Sequence, residues 1–164
     1  MDNLLIINNN IKTLENRLNK LSFDELTDFA DFWGHFHGIS YHWALWAAAY
    51  IIGGGCSDDG FMDFRDWVIS KGQNVFEAAL KEPDSLAQLD EELAEHGGRI
   101  EGFSYIPSNI VSEKWPDKKD QFDDELLSRA QKRTYPSEPA GEEWDEDDDE
   151  ALEKLCPRLY ELFW

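Results

Sequence analysis

Cysteine, basic residues and long apolar runs are what this chain has least of. Its 164 residues include two cysteines, Cys56 and Cys156. They lie too far apart for a metal-ligand motif and are too few for a disulfide framework, so free thiols in a reducing cytoplasm are expected. Lys and Arg number 15 against 35 Asp and Glu, a formal charge of −20. A surface so short of cations repels nucleic-acid phosphates and anionic lipid, and neither is expected as a partner. No stretch approaches the ~18 apolar residues of a membrane span. The start, Met1-Asp2-Asn3-Leu4-Leu5-Ile6-Ile7-Asn8, lacks the cationic region and the long apolar run of a signal peptide. A soluble, cytoplasmic protein is the expectation.

Aromatic residues, by contrast, are plentiful: 13% of the chain, with seven Trp and ten Phe. One domain spanning 1–164 with a large aromatic core fits this length and composition. The charge is uneven. In residues 1–22, Lys12, Arg17 and Lys20 outweigh Asp2 and Glu15 by one, so residues 23–164 carry −21.

Apolar spacing is helical nearly throughout, with no convincing strand alternation, and predicts an all-α compact domain of about seven to nine helices. Leu4, Ile7, Ile11, Leu14, Leu18 and Leu21 form the stripe of an amphipathic helix over 1–21. It either packs on its own domain or makes the seam of a weak homodimer. Ser22 and Glu25 are spaced as a capping box for a second helix bearing Phe23, Leu26, Phe29, Ala30 and Trp33, weakened towards its end by Gly34 and Gly38. Ser40–Ile52 is apolar on most of its circumference and should be the central element. Further helices are expected from Ser57 to about Lys71, from Asn74 to Leu80, from Ser85 to Glu95 with Asp84 as its cap, and over Phe103–Trp115 despite Pro107. Phe122–Arg133 reads as amphipathic through Leu126, Leu127 and Ala130. An extended acidic loop over 134–146 leads to a last helix, 147–163, kinked or broken at Pro157.

Four features could carry chemistry. Gly53-Gly54-Gly55-Cys56-Ser57-Asp58-Asp59-Gly60 resembles a ligand loop, with Cys56, Ser57, Asp58 and Asp59 facing a cleft. It reads better as a helix–helix corner, in which Gly53 ends one helix left-handed and Ser57 caps the next. Asp58 and Asp59 would then complement the helix dipole where an anion would have to sit. No Lys follows and no strand precedes, so this is neither a Walker loop nor a dinucleotide fingerprint. A helix N-terminus could activate the Cys56 thiol, but the adjacent aspartates oppose it. Asp28, Asp31, His35, His37 and His42 could assemble a mixed metal site, although no ordered two-His motif is present. No catalytic residue, metal or cofactor is assigned.

The fourth feature is Glu142-Glu143-Trp144-Asp145-Glu146-Asp147-Asp148-Asp149-Glu150, eight carboxylates in nine positions. Some belong to a helix start. The excess is either a solvated face or an electrostatic docking surface with Trp144 as its aromatic anchor.

The run from Leu45-Trp46-Ala47-Ala48-Ala49-Tyr50 through the glycine corner to Phe64-Arg65, Trp67 and Gly72 resembles an uncharacterised bacterial family, domain of unknown function 4240. So do Val75–Leu80, Pro83-Asp84-Ser85-Leu86, Pro139–Asp147 and Pro157-Arg158-Leu159, so that the likeness extends over about residues 20–163. The resemblance implies a bacterial cytoplasmic protein and no assigned activity. Charge and composition lead to a non-enzymatic binding protein, an immunity or antitoxin protein neutralising a basic toxin. Glu142, Glu143, Trp144, Asp145, Asp147 and Asp148 would make the contact. The competing expectation is a ligand- or metal-binding enzyme centred on Ser57, Asp58, Asp59 and nearby histidines.

Overall fold

The computed structural model describes residues 11–135 and 137–164. Among them are ten α-helices, three short 3-10 segments and no strand, so the protein is all-α with slightly more helices than expected. Among the described residues, no helix is long and apolar enough to cross a membrane. Contacts divide the chain into two units: Met1–Gly38 with Gly102–Tyr135, and Ile39–Glu101 with Pro136–Trp164.

The first unit contains α1 (described over 11–18), α2 (Phe23–Ile39), α7 (Ile106–Lys114) and α8 (Lys119–Gln131). Leu4 and Ile7 of the N-terminal stripe lie outside the described residues; Leu18 is buried. The capping box forms as spaced: the Ser22 amide donates to Glu25 Oε2 at 2.9 Å and the Glu25 amide to Ser22 Oγ at 3.3 Å. Helix α2 then runs on through both glycines to Ile39. Phe23 meets Trp115 and Phe122 edge-on, with ring centroids 5.7 and 6.3 Å apart. Pro107 sits in the first turn of α7, where its missing N–H costs nothing.

Helix α8 departs from its expected face. Phe122 is its buried residue, while Leu127 is 58% exposed and Ala130 also faces solvent. Arginines hold this segment instead. Arg129 donates to Asp28 at 2.7 Å, and Arg133, just beyond the helix, grips Asp31 through both terminal nitrogens at 2.5 and 2.6 Å.

The second unit contains α3 (Trp43–Gly53), α4 (Asp58–Ser70), α5 (Gln73–Lys81), α6 (Asp90–His96), α9 (Asp149–Leu155) and α10 (Pro157–Phe163). Helix α3 packs against α4, α9, α10 and the 3-10 segment Pro83–Leu89, which makes it the central element of this unit. Ala47, Ala48 and Ala49 are all buried there, so neighbouring helices approach closely. Phe61, Phe64 and Trp67 of α4 and Leu159 of α10 are also fully buried.

Pro157 breaks the last helix in two. It cannot donate to the preceding turn, and Cys156 before it leaves the helical conformation, with φ −140° and ψ 68°. A different residue supplies the missing cap. Asp84 begins no α-helix of its own, because Pro83–Leu89 is a 3-10 turn. Its buried carboxylate instead accepts from the Arg158 and Leu159 amides, at 3.0 and 2.9 Å, and from Arg158 Nε at 2.9 Å.

Candidate functional site

Helix α3 starts at Trp43, three residues later than the expected Ser40, because His42 before it is extended. The Ala140 amide donates to the Tyr41 carbonyl at 2.9 Å, and the Trp43 amide donates to the Ala140 carbonyl at 3.0 Å. This short parallel pairing lays the segment after Ser137 along the beginning of α3. Four residues on, the Trp144 indole N–H donates to the Trp43 carbonyl at 2.8 Å. The acidic segment is thus fastened to α3 at two points.

A cleft of about 570 Å³ lies between α3 and residues 143–146. One wall is α3, through Trp43, Trp46 and Tyr50, whose spacing of three and four puts them on one helix face. Glu143–Glu146 and Cys56 complete the lining. Trp43 lies parallel to Trp46 at 5.5 Å, and Trp46 in turn stacks on Phe61 at 4.8 Å. Trp144 stands nearly perpendicular to Trp43, at 85° and 6.1 Å, and at 65° to Tyr50, 5.0 Å away. The rings therefore make a corner. Burial, followed by the charge of Glu146 and its hydrogen bond to the phenol, raises the Tyr50 pKa.

The glycine corner borders this cleft as a helix reversal. Gly54, rather than Gly53, takes the left-handed conformation, with φ 60°. Gly53 is the last helical residue, and its need is steric: a Cβ there would stand 2.4 Å from Arg99 Nη2. Arg99 passes under the corner and donates to the Gly55 carbonyl at 3.1 Å, while the Trp46 indole donates to the Cys56 carbonyl at 3.0 Å. Ser57 caps α4 by accepting the Gly60 amide at 3.2 Å. Asp58 and Asp59 are exposed in the first turn. The Cys56 thiol is not activated. Burial pushes its pKa up, against the opposing charge of Arg99.

Of the expected docking residues, Glu143, Trp144 and Asp145 line the cleft together with Cys56. Glu142, Asp147 and Asp148 lie outside its walls, as do Ser57, Asp58 and Asp59. Trp144 is half-buried and turned inward, so it anchors the acidic segment to its own chain. Two carboxylates also have local duties: Asp145 accepts the Asp147 amide, and Asp148 caps α9 through the Ala151 amide, both at 3.0 Å. Trp43, Trp46, Tyr50 and Glu146 escape sequence reasoning. The available signal is the 43, 46, 50 spacing, hidden in a helix that is apolar all round.

The histidine-centred grouping has other partners. Asp31 is held by Arg133, which, through its hydrogen bond first, keeps the Asp31 pKa below the ordinary carboxylate value. His35 Nδ1 is 2.6 Å from the Tyr135 hydroxyl, and His37 Nε2 is 3.4 Å from Ser104 Oγ. Among the described residues, no three His, Cys, Asp or Glu converge as metal ligands.

A family model described as "Protein of unknown function (DUF4240)" matches residues 8–113, and the chain belongs to that family. The match takes in the α3 wall and the glycine corner, and ends before the acidic wall. No curated protein and no solved structure matches.

Proposed function

We propose that this member of the DUF4240 family is an acidic, non-enzymatic binding protein that neutralises a basic bacterial toxin by direct contact in the cytoplasm. The observation that carries the reading is the fixed acidic segment. Glu142, Glu143, Asp145 and Asp147 are exposed on a strand of chain that Trp144 and Ala140 clamp to α3. A clamped segment loses little conformational freedom when a partner docks, so its charge is spent on attraction. Like charges gathered on one surface accelerate encounter with a cationic protein and repel anionic competitors.

The test takes the proteins encoded by the genes adjacent to this one, and any basic product among them is purified and immobilised as the binding partner. Reversing Glu142, Glu143, Asp145 and Asp147 to Lys leaves the Asp148 cap intact. Association should slow by about tenfold or more at low salt, and its salt dependence should flatten. Association kinetics unchanged by four reversals would refute the proposed role.

A further inference from the structure

We propose that the cleft between α3 and residues 143–146 receives one arginine side chain of the basic partner, its guanidinium held in the aromatic corner and paired with the carboxylates of the opposite wall. The inference rests on the binding role proposed above and names the chemical group that the surface selects.

Three properties of the cleft converge on that group. Its walls are rings set at steep angles, 85° between Trp43 and Trp144 and 65° between Tyr50 and Trp144. Four rings, Trp43, Trp46, Tyr50 and Trp144, line the cleft, and aromatic linings attract cations. Its other wall carries Glu143, Asp145 and Glu146, all exposed at the rim. An anion is repelled there, and an apolar group would strip water from carboxylates while offering them no hydrogen bond. Its volume of about 570 Å³ accommodates a long side chain with part of its backbone.

Among cations, the guanidinium fits best. It is planar, stacks on indole, is weakly hydrated, and directs five N–H donors at carboxylates in its plane. A lysine ammonium is a compact, strongly hydrated point charge that gains less from flat ring walls. A quaternary ammonium has no N–H to give the carboxylates.

The rings are also pre-set. Trp46 is pinned by the Cys56 carbonyl and by Phe61, and Trp144 by the Trp43 carbonyl. Little ordering is left to be done on binding.

The experiment titrates the ¹⁵N-labelled full chain with Ac-Gly-Arg-Gly-NH₂ and follows the indole N–H resonances. The same peptide with citrulline, which is nearly isosteric and neutral, and with lysine provides the comparison. Saturable shifts are expected at Trp43, Trp46 and Trp144, with Trp33 and Trp115 still. The citrulline peptide should bind about tenfold more weakly or not at all, and the lysine peptide about threefold more weakly. Glu143→Gln with Glu146→Gln should weaken the arginine peptide about tenfold, whereas Glu113→Gln with Asp124→Asn, an equal change of charge at residues that do not line the cleft, should not. Equal binding of the arginine and citrulline peptides, shifts spread over all the indoles without saturation, or equal effects of the two double variants would each overturn the proposal. The outcome also separates the two readings. Charge-dependent toxin association with no arginine preference would leave the binding role standing and remove the arginine cleft. An arginine-selective cleft with toxin association indifferent to the four reversals would do the opposite.

Discussion

Replacing Asp84 with alanine should cost the protein about 3 kcal/mol, from two amide hydrogen bonds to a buried carboxylate at ~1.5 kcal/mol each. Asp84 is 4% exposed, and its Oδ1 serves the amides of Arg158 and Leu159 at the start of α10. Those amides have no acceptor in a preceding helical turn, because the helix begins at Pro157. The Arg158 side chain, in contrast, is 49% exposed and returns to water when its partner is removed, so that ion pair adds at most ~1 kcal/mol. Asp84→Asn keeps an oxygen for the amides but turns an NH₂ towards Arg158, and should cost about half as much as alanine. Urea unfolding followed by tryptophan fluorescence measures both values.

A local readout accompanies the global one. Cys156 is fully buried immediately before α10, so freeing the start of that helix should expose its thiol to iodoacetamide under native conditions. Helix α10 packs on α3, which carries one wall of the cleft, so the same variant should also broaden the Trp43 and Trp46 indole resonances. An alanine variant within 0.5 kcal/mol of wild type, roughly the scatter of neutral surface changes, would refute the capping argument. So would an asparagine variant as damaging as alanine, since acceptor geometry would then be irrelevant.

The Asp31–Arg133 pair makes a pH-dependent contribution of known sign. The Asp31 pKa is lowered in the folded protein, so the folded state binds its proton less readily than the unfolded state. The stabilisation is therefore complete above the ordinary carboxylate value, near ~4, and is lost as pH falls through the lower folded-state value. Asp31→Asn should destabilise the protein at pH 7, and the difference should shrink as pH falls below ~4 in parallel urea titrations; a pH-independent difference would contradict the assignment. Both thiols should be sluggish. Burial raises the Cys56 pKa, and burial followed by the Asp84 charge pushes that of Cys156 up to about 12. At pH 7.5, iodoacetamide should modify Cys56 more slowly than free cysteine and leave Cys156 untouched until unfolding. A Cys56 that outpaces free cysteine would restore the activated-thiol reading.

What could be read from the sequence is what is settled within one turn of helix. Ser22 and Glu25 are three apart, and nothing distant competes for them. Ser57 caps α4 for the same reason, and Pro157 breaks a helix by its own chemistry. The left-handed residue is Gly54, one position later than expected, and the arginine beside Gly53 comes from forty-six positions further on, at Arg99. Distance in sequence also hid the two contacts that matter most. Asp84 looks like a local cap, yet its amides lie 74 and 75 residues ahead. Trp144 looks like an outward anchor in a run of charge, yet its N–H finds a carbonyl 101 residues back.

That inward turn reverses the logic of the acidic run. Eight carboxylates in nine positions repel one another, and no helix dipole compensates those before α9. The segment holds its course because its one aromatic residue is drawn into a ring cluster while the charges remain in water. A cation placed among these carboxylates would be attracted by several of them at once. Aromatic anchoring and unrelieved charge meet in the same cleft, where Trp144 forms part of the wall and Glu143, Asp145 and Glu146 the rim. Any cation that stacks on the rings is brought within reach of the carboxylates, so each contact strengthens the case for the other. For that reason the cleft, more than the length of the acidic run, should decide which basic group is held.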